Sequence, residues 1–283
     1  MRPCGRKWIF YEVNRFDLPK IRPIAKASVG TRTIIVFMKV YGIIPARYGS
    51  TRLPAKVLVD IDGKPLIQHV YERARRSPSL DRLVVATDDD RVYQCVQSFG
   101  GEVLKTSPAH PSGTDRVAEA AQILKVDDED LIVNIQADQP LFESGMIDEM
   151  VAPFRDTPGL EMGALVYPIL SEEELINSSV VKVVVDHQGF ALYFSRSPIP
   201  YVQSFSLRPR YYKHVGPYAY RMSFLLTFTR LARGTLEQIE SLEQLRVLEH
   251  GHKIRIVVTK FDSPEVDTPE DLEKVRKLVM PSH

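Results

Sequence analysis

A loop rich in cations follows the first apolar run of the chain. The segment 41–56 reads YGIIPARYGSTRLPAK. Its cations are Arg47, Arg52 and Lys56, and Ser50 among them carries a hydroxyl group. Guanidinium groups bind phosphate oxygens bidentately, lysine adds a compact charge, and successive backbone N–H groups can form an anion-binding nest. The loop therefore predicts a polyphosphate site, although basic loops also occur on ordinary surfaces. The segment lacks GxxxxGK[ST] and GxGxxG, so it is neither a Walker loop nor a dinucleotide fingerprint.

Two aspartates from distant parts of the chain lie at positions where a carboxylate could contact a bound ligand. Asp138 follows the apolar run DLIVNIQ, which predicts a strand, and ligands of open α/β sheets bind at the carboxyl ends of strands. Asp267 lies in EVDTPED, a good helix start in which Asp267 or Thr268 would be the N-cap and Pro269 the first turn. Asp138 could likewise be only the cap of a helix.

Further polar residues lie at the ends of predicted elements. In the segment SGTDR, Ser112 can cap the helix that follows, while Arg116, one turn inside that helix, can point back toward a phosphate or a base. Thr87 and Gln136 each end a predicted strand and are weaker candidates for the same pocket.

Strands and helices alternate through most of the chain. The predicted strands lie at 40–44, 82–87, 102–105, 130–136, 162–168 and 253–259. The predicted helices lie at 66–76, 91–99, 114–124, 236–250 and 269–279. Repeated βα units favour a three-layer α/β domain with a largely parallel sheet.

The pattern changes in the second half of the chain. Two β-rich runs at 180–186 and 190–195 surround the sequence DHQG, which predicts a hairpin with a glycine turn. The stretch 197–212 is rich in Pro, Ser and aromatic residues, and we expect it to be irregular, as a dimer arm or part of a lid. The simplest organisation is one catalytic domain at 38–283, with an inserted β arm at about 170–220.

Composition excludes several classes of protein. The content of 44% apolar and 26% charged residues is that of an ordinary globular protein. No stretch approaches the ~20 apolar residues that span a bilayer. The two cysteines, Cys4 and Cys95, do not form a disulfide framework, which fits a reducing cytoplasm.

The charge is concentrated at the N-terminus. Residues 1–37 are strongly basic, while the net charge is only +1, so the remaining chain is mildly acidic. Nucleic-acid binding is therefore not expected, since its usual footprint is a basic domain. The extension could be an organellar transit peptide, a flexible tail or a mis-set start before Met38. We favour a tail without a catalytic role that includes a mis-set start.

The motifs together resemble one family. IPARYGSTRLPAK is similar to the N-terminal signature of sugar-activating cytidylyltransferases, and among them to 3-deoxy-manno-octulosonate (Kdo) cytidylyltransferases. Seven further segments resemble that family in the same order, between residues 38 and 278: LVVATDD, HPSGTDRVAE, IVNIQADQP, ALYFSRSPIP, KHVGPYAYR, LEQLRVLEHG and VDTPEDLEKV. The resemblance implies a Rossmann-like nucleotidyltransferase fold and a cytoplasmic homodimer. It also implies transfer of CMP from CTP to Kdo, with release of pyrophosphate, for lipopolysaccharide synthesis.

The resemblance also implies roles for individual residues. The catalytic set is Arg47, Lys56, Asp138 and Asp267, with Mg²⁺ held by the two aspartates. The nucleotide would contact Arg47, Ser50, Arg52, Lys56, Thr87, Ser112, Arg116 and Gln136. The sugar would contact Gln136, Arg196, His214, Tyr218, Glu243 and Gln244. Glu243 and Gln244, adjacent on the predicted helix 236–250, would point about 100° apart, so both reach a cleft only at its margin.

One motif departs from the family. Its usual QGDEP is replaced by QADQP, which puts a methyl group at Ala137 and removes a negative charge at Gln139. Alanine would be strained if the backbone there needed a positive φ. Two alternatives therefore stay open: activation of another acid sugar, such as a sialic acid or an amino-substituted Kdo, and a non-catalytic nucleotide-binding relative.

Overall fold

The computed structural model describes residues 38–49, 53–203 and 209–279. The predicted N-terminal extension 1–37 lies outside the described residues, and so do Ser50 and Arg52 of the predicted phosphate loop.

The described residues form strands and helices in alternation, as predicted. The strands are β1 Val40–Pro45, β2 Asp60–Ile61, β3 Lys64–Pro65, β4 Arg82–Thr87, β5 Val103–Lys105, β6 Leu131–Asn134, β7 Met162–Pro168, β8 Lys182–Val185, β9 Ala191–Ser195, β10 Tyr212–Arg221 and β11 Ile254–Val258. The helices are α1 Leu66–Ala74, α2 Asp90–Ser98, α3 Gly113–Ile123, α4 Gly145–Asp156, α5 Glu172–Ile176, α6 Met222–Arg230, α7 Thr235–Glu240, α8 Gln244–Glu249 and α9 Pro269–Val279.

The main sheet has the order β11-β7-β10-β6-β1-β4-β5. All neighbouring pairs on this path are parallel except those of β10, which runs antiparallel to β6 and β7. The chain places β4 and β5 on one side of β1 and then crosses to β6 on the other. This reversal is a topological switch point, and the carboxyl ends of β1 and β6 frame the crevice where such sheets bind ligands.

Both faces of the sheet are covered by helices. Adjacent residues of β1 enter different cores: Ile44 packs with α1, α2, α4 and α9, whereas Ile43 packs with α3, α6 and α8. Val85 and Val84 of β4 divide in the same way. A mostly parallel sheet buried on both faces confirms the predicted three-layer α/β/α domain.

The β8–β9 hairpin is present where it was predicted, with Gly189 at φ 84° in its turn. The hairpin joins the main sheet through pairing of β8 with β10. The prediction missed β10, which is a central strand of the sheet. The described parts of 197–211 contain neither strand nor helix, as expected.

The single predicted helix 236–250 is wrong, because the chain forms α7 and α8 with a break between them. Ser241 adopts a left-handed conformation with φ 52°. The break lets Leu242 and Leu245 both enter the core. A buried ion pair between Glu237 and Arg246 then joins the two helices. Packing and pairing across the break outweigh the local helical pattern, a case of tertiary structure overriding propensity.

No helix formed by the described residues is long and apolar enough to cross a membrane.

The backbone of β10 carries an irregularity that requires glycine. The register with β7 shifts between Val215 and Tyr218, and Gly216 within the shift has φ +68°. A Cβ atom at Gly216 would lie 2.8 Å from Cε of Met146. Both the conformation and the space therefore exclude a larger side chain.

We expect Gly216→Ala to lower the free energy of unfolding by about 2 kcal/mol. Alanine is strained at a positive φ, and its methyl group would also lie too close to Met146. Urea denaturation measures the loss. Gly113→Ala is the matched control, since its added methyl group would meet Cγ of Pro45 at 3.6 Å, an ordinary contact. Equal stability of the two variants would contradict the assignment.

Candidate active site

A cleft of ≈ 250 Å³ opens at the topological switch point of the sheet. It is lined by Pro45, Gly113, Thr114, Asn134, Gln136, His214, Gly216, Tyr218, Glu243 and Glu265. These residues come from the ends of β1 and β6, the first turn of α3, strand β10, the start of α8 and the loop after β11. The cleft is thus the crevice expected at the carboxyl edge of an α/β sheet.

The two predicted carboxylates meet beside this cleft. Nζ of Lys56 lies 2.7 Å from Oδ2 of Asp138 and 2.9 Å from Oδ1 of Asp267. The backbone N–H of Val266 donates to the carbonyl of Asp138 at 2.9 Å, which holds the two acidic segments together. Residues far apart in sequence therefore form one charged cluster, as predicted.

The sequence left open whether Asp267 or Thr268 caps α9, and the cap is made by Thr268. Oγ1 of Thr268 accepts a hydrogen bond from the N–H of Asp271, whose Oδ2 accepts one in return from the N–H of Thr268. This reciprocal capping satisfies the start of α9. The side chain of Thr268 thus caps α9, while Oδ1 of Asp267 pairs with Lys56.

Burial of Lys56 acts to lower its pKa, but the adjacent charges of Asp138 and Asp267 outweigh this effect and raise the pKa above its usual value. The ammonium group is therefore a fixed cation between two carboxylates. Two carboxylates that converge on one cation are a donor set that fits Mg²⁺, which takes one or two protein carboxylates and completes its shell with phosphates and water. Across residues 38–49, 53–203 and 209–279, no cluster of three or more acidic, His or Cys ligands is present.

Sequence reasoning missed a third carboxylate, Glu265. Its side chain is exposed to the cleft, and it accepts a hydrogen bond from Nε2 of Gln139 at 3.2 Å. Enclosure by the protein, and then the charges of Asp138 and Asp267, raise the pKa of Glu265 above its usual value. The one available signal was its position two residues before Asp267.

The β10 wall of the cleft is aromatic. The rings of His214 and Tyr218 stack with centroids 4.5 Å apart, and Tyr218 stacks in turn on Tyr220 at 6.2 Å. Burial lowers the pKa of His214 to about 4, and it raises the pKa of Tyr218 well above 10. Both predicted sugar residues are therefore neutral at pH 7.

Glu243 also lines the cleft, and a residue of α3 holds its side chain. Oγ1 of Thr114 donates to Oε2 of Glu243 at 2.6 Å. Gln244, the next residue, is buried in the first turn of α8 and does not line the described cleft. Of these two adjacent side chains only Glu243 lines the cleft, as the ~100° between neighbouring helical positions leads one to expect.

Two predicted arginines make contacts away from the cleft. Arg116 is buried, donates to Oγ1 of Thr106 at 2.7 Å and pairs with Asp88 at 3.0 Å. The guanidinium of Arg196 donates to the backbone carbonyls of Glu240 and Ser178. Both side chains thus join structural elements in this structure.

Of the remaining residues predicted to bind the nucleotide, two are accessible and two are hydrogen-bonded to the backbone. Gln136 lines the cleft and Arg47 is exposed in the loop after β1. Ser112 caps α3 by accepting from the N–H of Asp115, and Thr87 accepts from the N–H of Asp89. These two hydroxyls serve the backbone, as the simpler interpretation of Ser112 expected.

The departures in the QADQP motif cause no strain. Ala137 is absent from the described non-glycine residues with positive φ, and it packs in the core with 7% exposure. Gln139 is fully buried and uses its amide to hold Glu265. The backbone at Ala137 does not need a positive φ, so the condition under which alanine would be strained is not met.

Comparisons with known proteins show which family the chain belongs to. The sequence model of a family described as Cytidylyltransferase matches residues 41–254. The 3-deoxy-manno-octulosonate cytidylyltransferase of Syntrophus aciditrophicus is 51% identical over 242 residues, which cover 86% of this chain and 98% of that protein. The chain belongs to the 3-deoxy-manno-octulosonate cytidylyltransferase family.

Other members of this cytidylyltransferase family extend the likeness. The 8-amino-3,8-dideoxy-manno-octulosonate cytidylyltransferase of Shewanella frigidimarina is 51% identical over 238 residues, covering 84% of this chain and 97% of that protein. A solved structure of CMP:2-keto-3-deoxy-manno-octonic acid synthetase complexed with CTP superimposes with a TM-score of 0.80 at 47% identity. It covers 85% of this chain and 98% of that one, which confirms the predicted nucleotidyltransferase fold.

We expect the free energy of unfolding to fall as the pH decreases from about 6.5 to about 4, in part because His214 must be protonated on unfolding. Its pKa is about 4 in the fold and its ordinary value is 6.5, so stability is present above pH 6.5 and lost below it. The loss at pH 4.5 is on the order of 2 kcal/mol. Urea denaturation of His214→Phe, which keeps an aromatic ring, should show a shallower pH dependence. Identical slopes for both proteins would show that His214 does not titrate in this way.

Proposed function

We propose that the chain transfers CMP from CTP to Kdo and releases pyrophosphate in a Mg²⁺-dependent reaction. The observation that carries the proposal is the convergence of Asp138 and Asp267 on one cation, Lys56, beside the cleft at the switch point. The names of the similar proteins supply the substrates, CTP and Kdo.

The residues would act by position and charge. Asp138 and Asp267 would hold Mg²⁺, and the ion would supply charge neutralisation at the phosphates and a lower pKa for the attacking sugar hydroxyl. Lys56 and Arg47 would bind the phosphate oxygens and stabilise the charge that develops on pyrophosphate. We also assign this role to Arg52, which lies outside the described residues. Thr87, Ser112 and Arg116 remain proposed nucleotide contacts that would have to exchange their present partners.

The sugar would occupy the cleft between β10 and the loop after β11. Gln136, His214, Tyr218 and Glu243 line it and are proposed to contact the sugar. Arg196 and Gln244 would reach the sugar only after exchange of their present contacts. A side chain that already bonds backbone carbonyls, as Arg196 does, would lose those hydrogen bonds in doing so.

We expect Asp138→Asn and Asp267→Asn each to reduce turnover at least a hundredfold, and the double variant to be little worse than either, because residues that act as one unit are not additive. Release of pyrophosphate from CTP, Kdo and Mg²⁺ is measured, with sialic acid and amino-substituted Kdo as competing substrates. Asp128→Asn, which is exposed, is the matched control.

Two results would contradict the proposal. Absence of pyrophosphate release with every acid sugar would remove the catalytic function. Near-normal activity of Asp267→Asn, with an unchanged dependence on Mg²⁺, would remove the paired-carboxylate site.

The proposed enzyme is a cytoplasmic homodimer. Exposed apolar side chains concentrate on and near the inserted segment, at Leu170, Ile176, Leu192, Tyr201, Leu236 and Ile239. The hydrogen bond from Ser195 to Glu240 ties the end of β9 to α7, so several of these residues belong to connected elements. Exposed apolar surface of this kind marks interaction sites.

We expect the double variant Leu192→Glu and Ile239→Glu to shift the mass measured by light scattering from dimer to monomer, because buried unpaired carboxylates oppose association. Leu278→Glu, on α9 and 66% exposed, is the control and should stay dimeric. An unmodified chain that is monomeric at all concentrations would exclude the dimer.

A further inference from the structure

Glu265 has no part in the roles assigned so far, although its side chain is exposed in the wall of the cleft. The loop that carries it is anchored on both sides. Thr259 donates its N–H to the carbonyl of Val166 at 2.9 Å, and Val266 donates to the carbonyl of Asp138 at 2.9 Å. The position of the carboxylate is therefore set by the backbone of the sheet edge.

Gln139 fixes the orientation of the Glu265 side chain. The amide of Gln139 is completely buried, and its Nε2 donates to Oε1 of Glu265 at 3.2 Å. Oε2 of Glu265 makes no hydrogen bond to any described residue. One oxygen is thus held by a buried amide, and the other is available to a molecule in the cleft.

This carboxylate lies two residues before Asp267 on a loop whose Val266 N–H donates to the carbonyl of Asp138. The three acids do not form a metal-binding cluster in the described structure. A carboxylate that a buried amide orients in the wall of a cleft is typical of a binding group, since such groups are held by supporting hydrogen bonds.

The chemistry of the cleft indicates what this group binds. Its described lining contains two carboxylates, Glu243 and Glu265, and neither Lys nor Arg. Such a wall repels a carboxylate or a phosphate. It suits hydroxyl groups, which donate hydrogen bonds to ionised carboxylates.

We propose that Glu265 accepts a hydrogen bond from a hydroxyl of the acid-sugar acceptor, and that Gln139 is the positioning residue that orients it. The inference rests on the proposed function and adds to it a residue that determines which polyhydroxy acid is accepted. It also sets the direction of the sugar, because the hydroxyl-bearing part faces Glu265 and Glu243 while the sugar carboxylate faces the described cations Arg47 and Lys56.

The test is the steady-state kinetics of Glu265→Gln with Kdo and with Kdo analogues that each lack one hydroxyl. Loss of a charge-assisted hydrogen bond should raise KM for Kdo roughly tenfold, while KM for CTP and kcat stay within about twofold. The unmodified chain should discriminate roughly tenfold against the one analogue that lacks the bound hydroxyl, and Glu265→Gln should not. Glu265→Asp keeps the charge and should recover part of this discrimination.

Two further variants separate orientation from a general effect of charge. Gln139→Met should raise KM for Kdo in the same direction, and Gln139→Met combined with Glu265→Gln should be no worse than Glu265→Gln alone. Glu270→Gln removes an exposed negative charge five residues along the same segment and should change neither KM.

Normal turnover of Glu265→Gln with an unchanged KM for Kdo would overturn this inference alone. A rise in KM for CTP with KM for Kdo unchanged would also overturn it, since Glu265 would then act on the nucleotide side. Failure of the unmodified chain to release pyrophosphate with any acid sugar would overturn the proposed function, and this inference with it.

Discussion

The contact between Lys56 and two aspartates is the constraint on which the site depends. Asp138 and Asp267 approach the same ammonium nitrogen at 2.7 and 2.9 Å, with side chains only 24% and 26% exposed. Two unit charges near a protein surface interact with about 4 kcal/mol at 4 Å, so two carboxylates this close require a cation between them. The sheet edge, the loop after β1 and the start of α9 are all arranged so that this cation and its two partners meet.

Strand β10, which runs antiparallel to its neighbours, forms another wall of the site. In a regular strand, the Cα atoms of residues four apart are separated by ~13 Å. The ring centroids of His214 and Tyr218 are nevertheless only 4.5 Å apart. The register shift between Val215 and Tyr218 brings them together, and the glycine within it accepts the positive φ that the shift requires. The antiparallel strand β10 thus places two stacked rings in the wall of the cleft beside the carboxylates.

The sequence predicted what depends on local pattern and missed what depends on distant partners. Strands β4 and β7 have the predicted bounds, because apolar runs between turn residues define them without reference to the rest of the chain. The helical pattern of 236–250 gave no sign of the break at Ser241, which follows from a buried pair between Glu237 and Arg246. Glu265 was missed for the same reason, since its side chain is hydrogen-bonded to Gln139, more than a hundred residues earlier.

Charged residues show most clearly why a site cannot be read from residue types alone. Arg116 and Arg196 have the chemistry to bind an anionic ligand, but the fold satisfies both with a carboxylate, a hydroxyl and backbone carbonyls. Each guanidinium offers five donors, and a buried or half-buried one must satisfy most of them within the protein. Arg47 differs because it is exposed at the end of β1. Among the described residues, Arg47 is thus an exposed cation at this edge of the sheet, while the cleft beside it is lined by the carboxylates Glu243 and Glu265.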